Sequence, residues 1–299
     1  MSVPDVTPDA PGAGWRLTLA LLGRLPQAAL SRGFGAIADV PVPRALRRRV
    51  LGAAARTLGM DLAEAELPLE QYGSLNELFV RRLRPGLRPV SDDPLAIASP
   101  VDGVIGQYGH VRGGELVQAK GRHYTAAALL DDESTARRFE QGTFITLYLS
   151  PRHYHRIHAP CTGTIAGARH VPGALLPVNE PAVQHVAGLF PRNERLIAYL
   201  DGTPGYTAVV AVGAYNVGRI SAAFDTRWSA GGWVTNRRGA HADTRRYDPP
   251  LPVRKGEEIM AFHLGSTVVL LVEGELRLDT SLESGREVRL GTDLARRLS

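Results

Sequence analysis

Cysteine is nearly missing from this chain. A single one, Cys161, among 299 residues excludes an internal disulfide framework and fits a reducing compartment. Aromatic side chains make up only 6% of the residues. No helix-turn-helix, zinc-finger or RNP-like pattern accompanies the net charge of +5, so a nucleic-acid partner is not expected. No apolar run reaches the roughly 18 residues that a membrane-spanning helix needs. Met1 to Pro11 is acidic and proline-rich, unlike a secretory leader. Acidic charge is scarce between Gly14 and Met60, where Asp39 stands alone against Arg16, Arg24, Arg32, Arg44, Arg47, Arg48, Arg49 and Arg56.

Apolar residues interleave those arginines: Trp15, Leu17, Leu19, Leu21, Leu22, Leu25, Leu30 and Phe34. The pattern reads as basic amphipathic helix, suited to an anionic membrane surface or to a core with a solvated basic face. Helical character extends from residue 14 to about 84, with breaks at Pro26, Pro41, Pro43 and Pro68. Ser74-Leu75-Asn76-Glu77 is a capping-box pattern that opens a short helix. From about residue 90, β-type runs alternate with glycine and proline, notably 143–149, 207–212 and 267–272. Asp131 to Gln141 reads as a helical insertion, and 225–250, polar and rich in glycine and arginine, as an exposed loop. The expected class is α+β: residues 1–13 disordered, 14–89 helical and 90–299 β-rich.

The chemistry-bearing segment is Leu264-Gly265-Ser266-Thr267, just before Val268-Val269-Leu270-Leu271-Val272. A Gly-Ser bond at the head of a strand is either a plain turn or a self-cleavage site in which the hydroxyl attacks the preceding carbonyl. Glycine has no Cβ to obstruct that attack. Val101-Asp102-Gly103 and Tyr154-His155-Arg156-Ile157-His158 supply an acid and two imidazoles. With Ser266 they complete the parts of a histidine-activated serine. His153, His155 and His158 could instead ligate zinc, although no HExxH or Cys-x-x-Cys pattern would complete a site. Cys161 could be a nucleophilic thiol or a small buried side chain.

Taken in order, several blocks resemble the bacterial phosphatidylserine decarboxylase proenzyme family over nearly the full length. They are Phe79-Val80-Arg81-Arg82-Leu83-Arg84, Val101-Asp102-Gly103, Tyr154 to His158, Leu189-Phe190-Pro191-Arg192-Asn193-Glu194-Arg195, Val212-Gly213-Ala214 with Asn216-Val217-Gly218, and Lys255-Gly256-Glu257-Glu258 leading into Leu264 to Thr267. One departure is Glu258-Ile259-Met260-Ala261-Phe262, where the family usually has Glu-Met-Gly-x-Phe.

The resemblance implies that Ser266 attacks the Gly265 carbonyl and that the chain parts into a β chain, 1–265, and an α chain, 266–299. The serine then becomes a pyruvoyl cofactor. His158 is the implied base and Asp102 its orienting acid. In turnover the pyruvoyl ketone is implied to form a Schiff base with the amine of phosphatidylserine, and His155 to reprotonate the carbon that loses carbon dioxide. The two histidines could trade roles. If both serve one site, the segment must turn there, because a strand would point them to opposite faces. Arg192 and Arg195 are candidates to grip phosphate or carboxylate, or else to pair with Glu194 or another acid. Val178-Asn179-Glu180 is a candidate pocket wall. The resemblance implies that 14–89 is a membrane-associating region packed on a catalytic domain, 90–299, and that the setting is peripheral, on the cytoplasmic face of the cell membrane. A homo-oligomer is compatible with the sequence, which does not fix the number of copies. The alternatives are a decarboxylase of another amine-bearing substrate, since pyruvoyl chemistry also serves free amino acids, a membrane-surface binding protein in which Leu264 to Thr267 is only a turn, and a zinc hydrolase.

Overall fold

A computed structural model describes residues 27–119, 121–214, 219–229, 240–263 and 266–298. The expected disordered terminus, Arg16, Arg24, Asn216 to Gly218, Leu264 and Gly265 lie outside the described residues. The α+β class holds.

Helices come first. Helix α1 spans Gln27–Asp39 and α2 spans Arg44–Leu58. Pro41 and Pro43 separate them, and Pro43 sits at the N-cap of α2, where its missing N–H costs nothing. Gly59 closes α2 in the left-handed conformation at φ 69°. Helix α3, Leu75–Phe79, starts as its capping pattern requires. The Ser74 side chain accepts from Glu77 N at 3.2 Å, while Glu77 Oε2 reaches back to Gly73 N at 2.6 Å. Leu51 and Ala55 of α2 and Leu78 and Phe79 of α3 join the same buried cluster as the sheet residues.

The rest is mainly antiparallel sheet with short helices between strands. The strands that matter here are β1 (Gly103–His110), β2 (Thr143–Tyr148), β3 (Arg156–His158), β4 (Gly163–Val171), β5 (Arg195–Gly202), β6 (Thr207–Val212), β7 (Ile220–Ala222), β8 (Asp243–Val253), β9 (Glu258–Phe262), β10 (Thr267–Val272) and β11 (Glu287–Val288). Eight form one sheet in the order β8-β4-β5-β6-β10-β2-β1-β11, and three form a second in the order β7-β9-β3. Strands β6 and β10 are buried at every position, which explains why their β-branched and leucine-rich runs do not alternate.

Two expectations are corrected. The helical insertion begins earlier, at Ala126–Leu130, and breaks at Asp131, whose φ of 52° terminates that helix before Glu133–Ala136. Within the segment read as a loop, Asp243–Val253 is an edge strand paired with β4, with its register shifted between Arg246 and Leu251 around Pro249 and Pro250. Proline is tolerated on such an edge, and the alternating half-exposure suits the arginines that disguised the strand.

Candidate active site

Three neighbouring strands end together at the serine. Thr267 of β10 is paired with Tyr148 of β2, which is paired with Val104 of β1. One residue further along lie Ser266, Leu149 and Gly103. Leu149 N donates to Ser266 O at 2.7 Å. A Cβ on Gly103 would come within 2.8 Å of Tyr148 O, so glycine is what lets β1 close on β2 beside Asp102. At about 4.8 Å per strand, the Asp102 and Ser266 backbones stand about 10 Å apart at one sheet end.

The second sheet brings the histidines to the same end. Glu258 of β9 pairs with His158, and Phe262 N donates to His155 O at 2.9 Å. His158 N donates to Pro100 O at 2.8 Å, two residues before Asp102. Residues 149–155 therefore run between two fixed points, Leu149 on Ser266 and His155 on Phe262. A turn at Pro151 to His153 precedes β3, so His155 and His158 do not sit on one regular strand.

Ser266 is fully buried, and its hydroxyl donates a short hydrogen bond to Val212 O. His158 Nδ1 lies 2.7 Å from Gly256 O. A carbonyl only accepts, so Nδ1 carries the proton. Nε2 then accepts from the Tyr154 hydroxyl at 3.0 Å. Burial lowers the His158 pKa, against a smaller upward pull from the Gly256 carbonyl. The result is a neutral ring with a basic Nε2. The orienting contact expected from Asp102 is thus made by Gly256.

Asp102 is engaged elsewhere. Its Oδ1 accepts from Leu290 N at 2.8 Å and from Arg88 Nε at 2.9 Å, and its Oδ2 accepts from Arg88 Nη2 at 2.6 Å. The same Nη2 donates to Glu64 Oε2 at 2.6 Å. Asp102 acts on His158 only through space, where its charge favours the protonated ring.

His155 is completely buried, and neither ring nitrogen makes a well-formed hydrogen bond, the His153 backbone giving only a small upward pull on its pKa. Its ring lies 4.5 Å from that of Phe79. Burial, then the charge of Arg81, pushes its pKa down to about 3. A buried imidazole so weakly bonded costs stability and calls for an explanation. His153, in contrast, accepts from Ser150 N at 3.0 Å. Among the described residues no group of three His, Cys, Asp or Glu side chains is placed to hold a metal ion. Cys161 is buried and its thiol is pushed up to about 11, so it is not a ready thiolate.

The arginine candidates separate. Arg195 is buried, and its guanidinium bonds four carbonyls, those of Ala128, Leu129, Pro191 and Asn193. It ties the end of the Ala126–Leu130 helix to β5, with four of its five N–H groups committed to those carbonyls. Arg192 ends the short helix Leu189–Arg192 and is exposed. Glu194 pairs with His170 at 2.8 Å, not with either arginine. Asn179 caps Glu180–His185 by accepting from Ala182 N at 3.3 Å. A cavity of about 510 Å³ is lined by Arg81, Arg88, Asp102, His153 and Tyr154 among others, whereas Ser266, His155 and His158 do not line it.

Sequence reasoning assigned no role to Arg88, Tyr154, Gly256 or Val212. The last three lie in blocks that carry the resemblance. Arg88 lies outside them, and only the folded chain brings it to Asp102.

A family model described as phosphatidylserine decarboxylase matches residues 75–296. Among curated relatives, the phosphatidylserine decarboxylase proenzyme of Anaeromyxobacter sp. is 48% identical over 280 residues, covering 93% of this chain and 98% of the relative. The protein of the same description from Myxococcus xanthus is 43% identical, covering 91% and 95%. That from Brevibacillus brevis is 39% identical, covering 94% and 98%.

Proposed function

This chain belongs to the phosphatidylserine decarboxylase family, and from that premise we propose that it cleaves itself between Gly265 and Ser266 and then converts phosphatidylserine to phosphatidylethanolamine and carbon dioxide. The observation that carries the reading is that both ends of residues 149–155 are tied to the chain around Ser266, Leu149 N to Ser266 O and His155 O to Phe262 N, with His158 opposite Glu258 on the same β9.

In self-cleavage the Ser266 hydroxyl leaves Val212 O and gives its proton to His158 Nε2, which first releases the Tyr154 hydroxyl. The oxygen attacks the Gly265 carbonyl carbon, and the bond from that carbon to Ser266 N breaks to leave an ester. Elimination across Cα–Cβ of Ser266 then breaks the ester and frees the Gly265 carboxylate. Asp102 favours the protonated His158 through space.

The family implies a pyruvoyl group made from Ser266, and the site suits one. The Ser266 position is fully buried, Leu149 N holds its carbonyl, and neither ring nitrogen of His155 makes a well-formed hydrogen bond. Such a group supplies an electron sink for the carbon that loses carbon dioxide. His155 is the residue assigned to reprotonate that carbon; burial keeps its ring neutral in the unreacted chain, so it takes up a proton before it donates one. Arg192 is the candidate for the substrate's anionic groups.

The setting is a membrane surface, on its cytoplasmic face. Phe34, Ile37 and Val40 in and just after α1, with Leu46 and Val50 of α2, are 41–71% exposed. Arg44, Arg47, Arg48 and Arg49 lie beside them in sequence. Exposed apolar groups flanked by arginine suit the anionic headgroup boundary. No helix among the described residues is long and apolar enough to cross a membrane.

Denaturing intact-mass measurement tests the reading. The wild-type chain is expected to give residues 1–265 and a 34-residue fragment from position 266, one ammonia lighter than its serine-ended form. Ser266→Ala is expected to stay whole and inactive. A Ser266→Ala chain cut at the same bond sinks the proposal.

A further inference from the structure

Three residues before Ser266, His263 is buried in a closed hydrogen-bonded ring that the mechanism above does not use. Asp39, the last residue of α1, accepts from Asn76 Nδ2 at 2.8 Å on Oδ1 and from Arg219 Nη1 at 2.6 Å on Oδ2. Asn76, in α3, must turn its amide nitrogen to that carboxylate, so its Oδ1 faces His263 Nδ1 at 3.0 Å. His263 N donates to Arg219 O at 3.0 Å and closes the ring. A side branch adds Ser221 of β7, whose hydroxyl lies 3.0 Å from His263 Nε2.

The proton positions follow. Asn76 Oδ1 only accepts, so His263 Nδ1 carries hydrogen, and Nε2 accepts from Ser221. Burial, then the charges of Arg219 and Arg156, keeps the ring neutral. One imidazole therefore uses both nitrogens on two separate elements, while its backbone N–H is held by Arg219, just before β7. Few arrangements fix a side chain and its backbone more completely.

The location gives the ring its use. On the far side of the scissile bond, Ser266 is held by Leu149 N and by Val212 O. Only two residues separate it from His263, and a chain spans no more than about 3.6 Å per residue. The point at which the chain leaves His263 therefore bounds where the scissile bond can lie. We propose that His263 is a positioning residue for self-cleavage: held by Asn76 and Ser221, it anchors the chain that enters the scissile bond, as Leu149 and Val212 anchor the chain that leaves it. The inference rests on the self-cleavage reading and adds to it a second set of residues, Ser221, His263 and Asn76, that need not touch the reacting atoms.

The test follows cleavage in time, by denaturing gel and mass, for freshly synthesised wild type, His263→Leu, His263→Asn and Ser221→Ala. Each is run with and without hydroxylamine, which splits an accumulated Gly265 ester. Urea midpoints of the same changes on a Ser266→Ala background report folding separately. A misplacement near 1 Å costs about 100-fold in rate, so His263→Leu is expected to slow cleavage by about that factor. Ser221→Ala, with one hydroxyl removed, is expected to slow it about tenfold, and His263→Asn, which retains a donor toward Asn76, is expected to recover part of the loss. Hydroxylamine is expected to release nothing extra from the slowed variants, because the defect precedes ester formation. Cleavage within twofold of wild type in both His263→Leu and Ser221→Ala overturns the inference, as does release of the fragment by hydroxylamine. If His263→Leu fails to fold, Ser221→Ala decides alone. A wild-type chain that never cleaves defeats the underlying reading instead.

Discussion

Replacing Asp102 with alanine removes three hydrogen bonds from one buried junction, those from Leu290 N, Arg88 Nε and Arg88 Nη2. The Arg88 side chain is 7% exposed and that of Asp102 10%, so water replaces little of what is lost. Breaking a buried pair costs about 3–5 kcal/mol when the surviving charge has no other partner. Here Arg88 keeps Glu64, at 2.6 Å, which lowers the figure to about 2–3 kcal/mol, most of it the unsatisfied Leu290 N–H and the weakened ion pair. Arg88→Met should cost a similar amount, because it strands the Asp102 carboxylate. The double change should cost less than the sum, with a coupling energy of about 1–3 kcal/mol. Urea unfolding of the four chains, all carrying Ser266→Ala so that each is one covalent species, measures this directly. A coupling below about 0.5 kcal/mol would refute the view that Asp102 is first a partner of Arg88. High salt should leave the coupling nearly intact, since a buried pair is weakly screened.

Two further outcomes are expected. The rings of His155 and His263 titrate near 6.5 when unfolded and are pushed down to about 3 when folded. Between those values the unfolded chain holds the extra protons, so stability falls as pH is lowered, by about 2 kcal/mol per ring between pH 6.5 and 4.5. On the Ser266→Ala background, His155→Phe should flatten the dependence of the urea midpoint on pH by its share, and an unchanged slope would contradict the assignment. At the helices, Ile37 is 71% exposed and Val40 57%. Changing both to serine should weaken partitioning onto anionic vesicles about tenfold or more, given about 0.8 kcal/mol per buried methylene, and equal partitioning of variant and parent would remove these residues from the docking surface.

Much of this fold is written in local pattern. The 143–149, 207–212 and 267–272 runs appear within a residue of their strands because fully buried β-branched stretches have few other uses. Ser74 and Glu77 announce α3 by chemistry confined to four residues. Strand β8 was hidden, since its arginines, aspartates and prolines look like a loop until β4 supplies an edge to pair with. The site divides in the same way. Ser266, Asp102, His155 and His158 can be picked out from sequence blocks, but their contacts cannot. Arg88 is 14 residues from Asp102 and Asn76 is 187 from His263. Those pairings exist only because α1, α3 and the two sheets pack together, and no periodicity encodes them. The four carbonyls around Arg195 are equally invisible in sequence, where a buried guanidinium looks like any arginine beside an acid.

Strand β10 lies between β6 and β2, hydrogen-bonded to both along its whole length. Beyond it, Asp293–Arg296 pairs with Ala96–Ala98, and β11 pairs with β1. A cut just before Ser266 would therefore sever the backbone without freeing either piece. The short fragment would remain a middle thread of the longer one, and the two could part only if the large sheet came undone. The cut then has to come after folding. Once the pieces have been separated, reassembly becomes a bimolecular problem that the original chain never faced. Maturation of this kind is a one-way event, with the resulting heterodimer held together by the same ladders that folded the precursor.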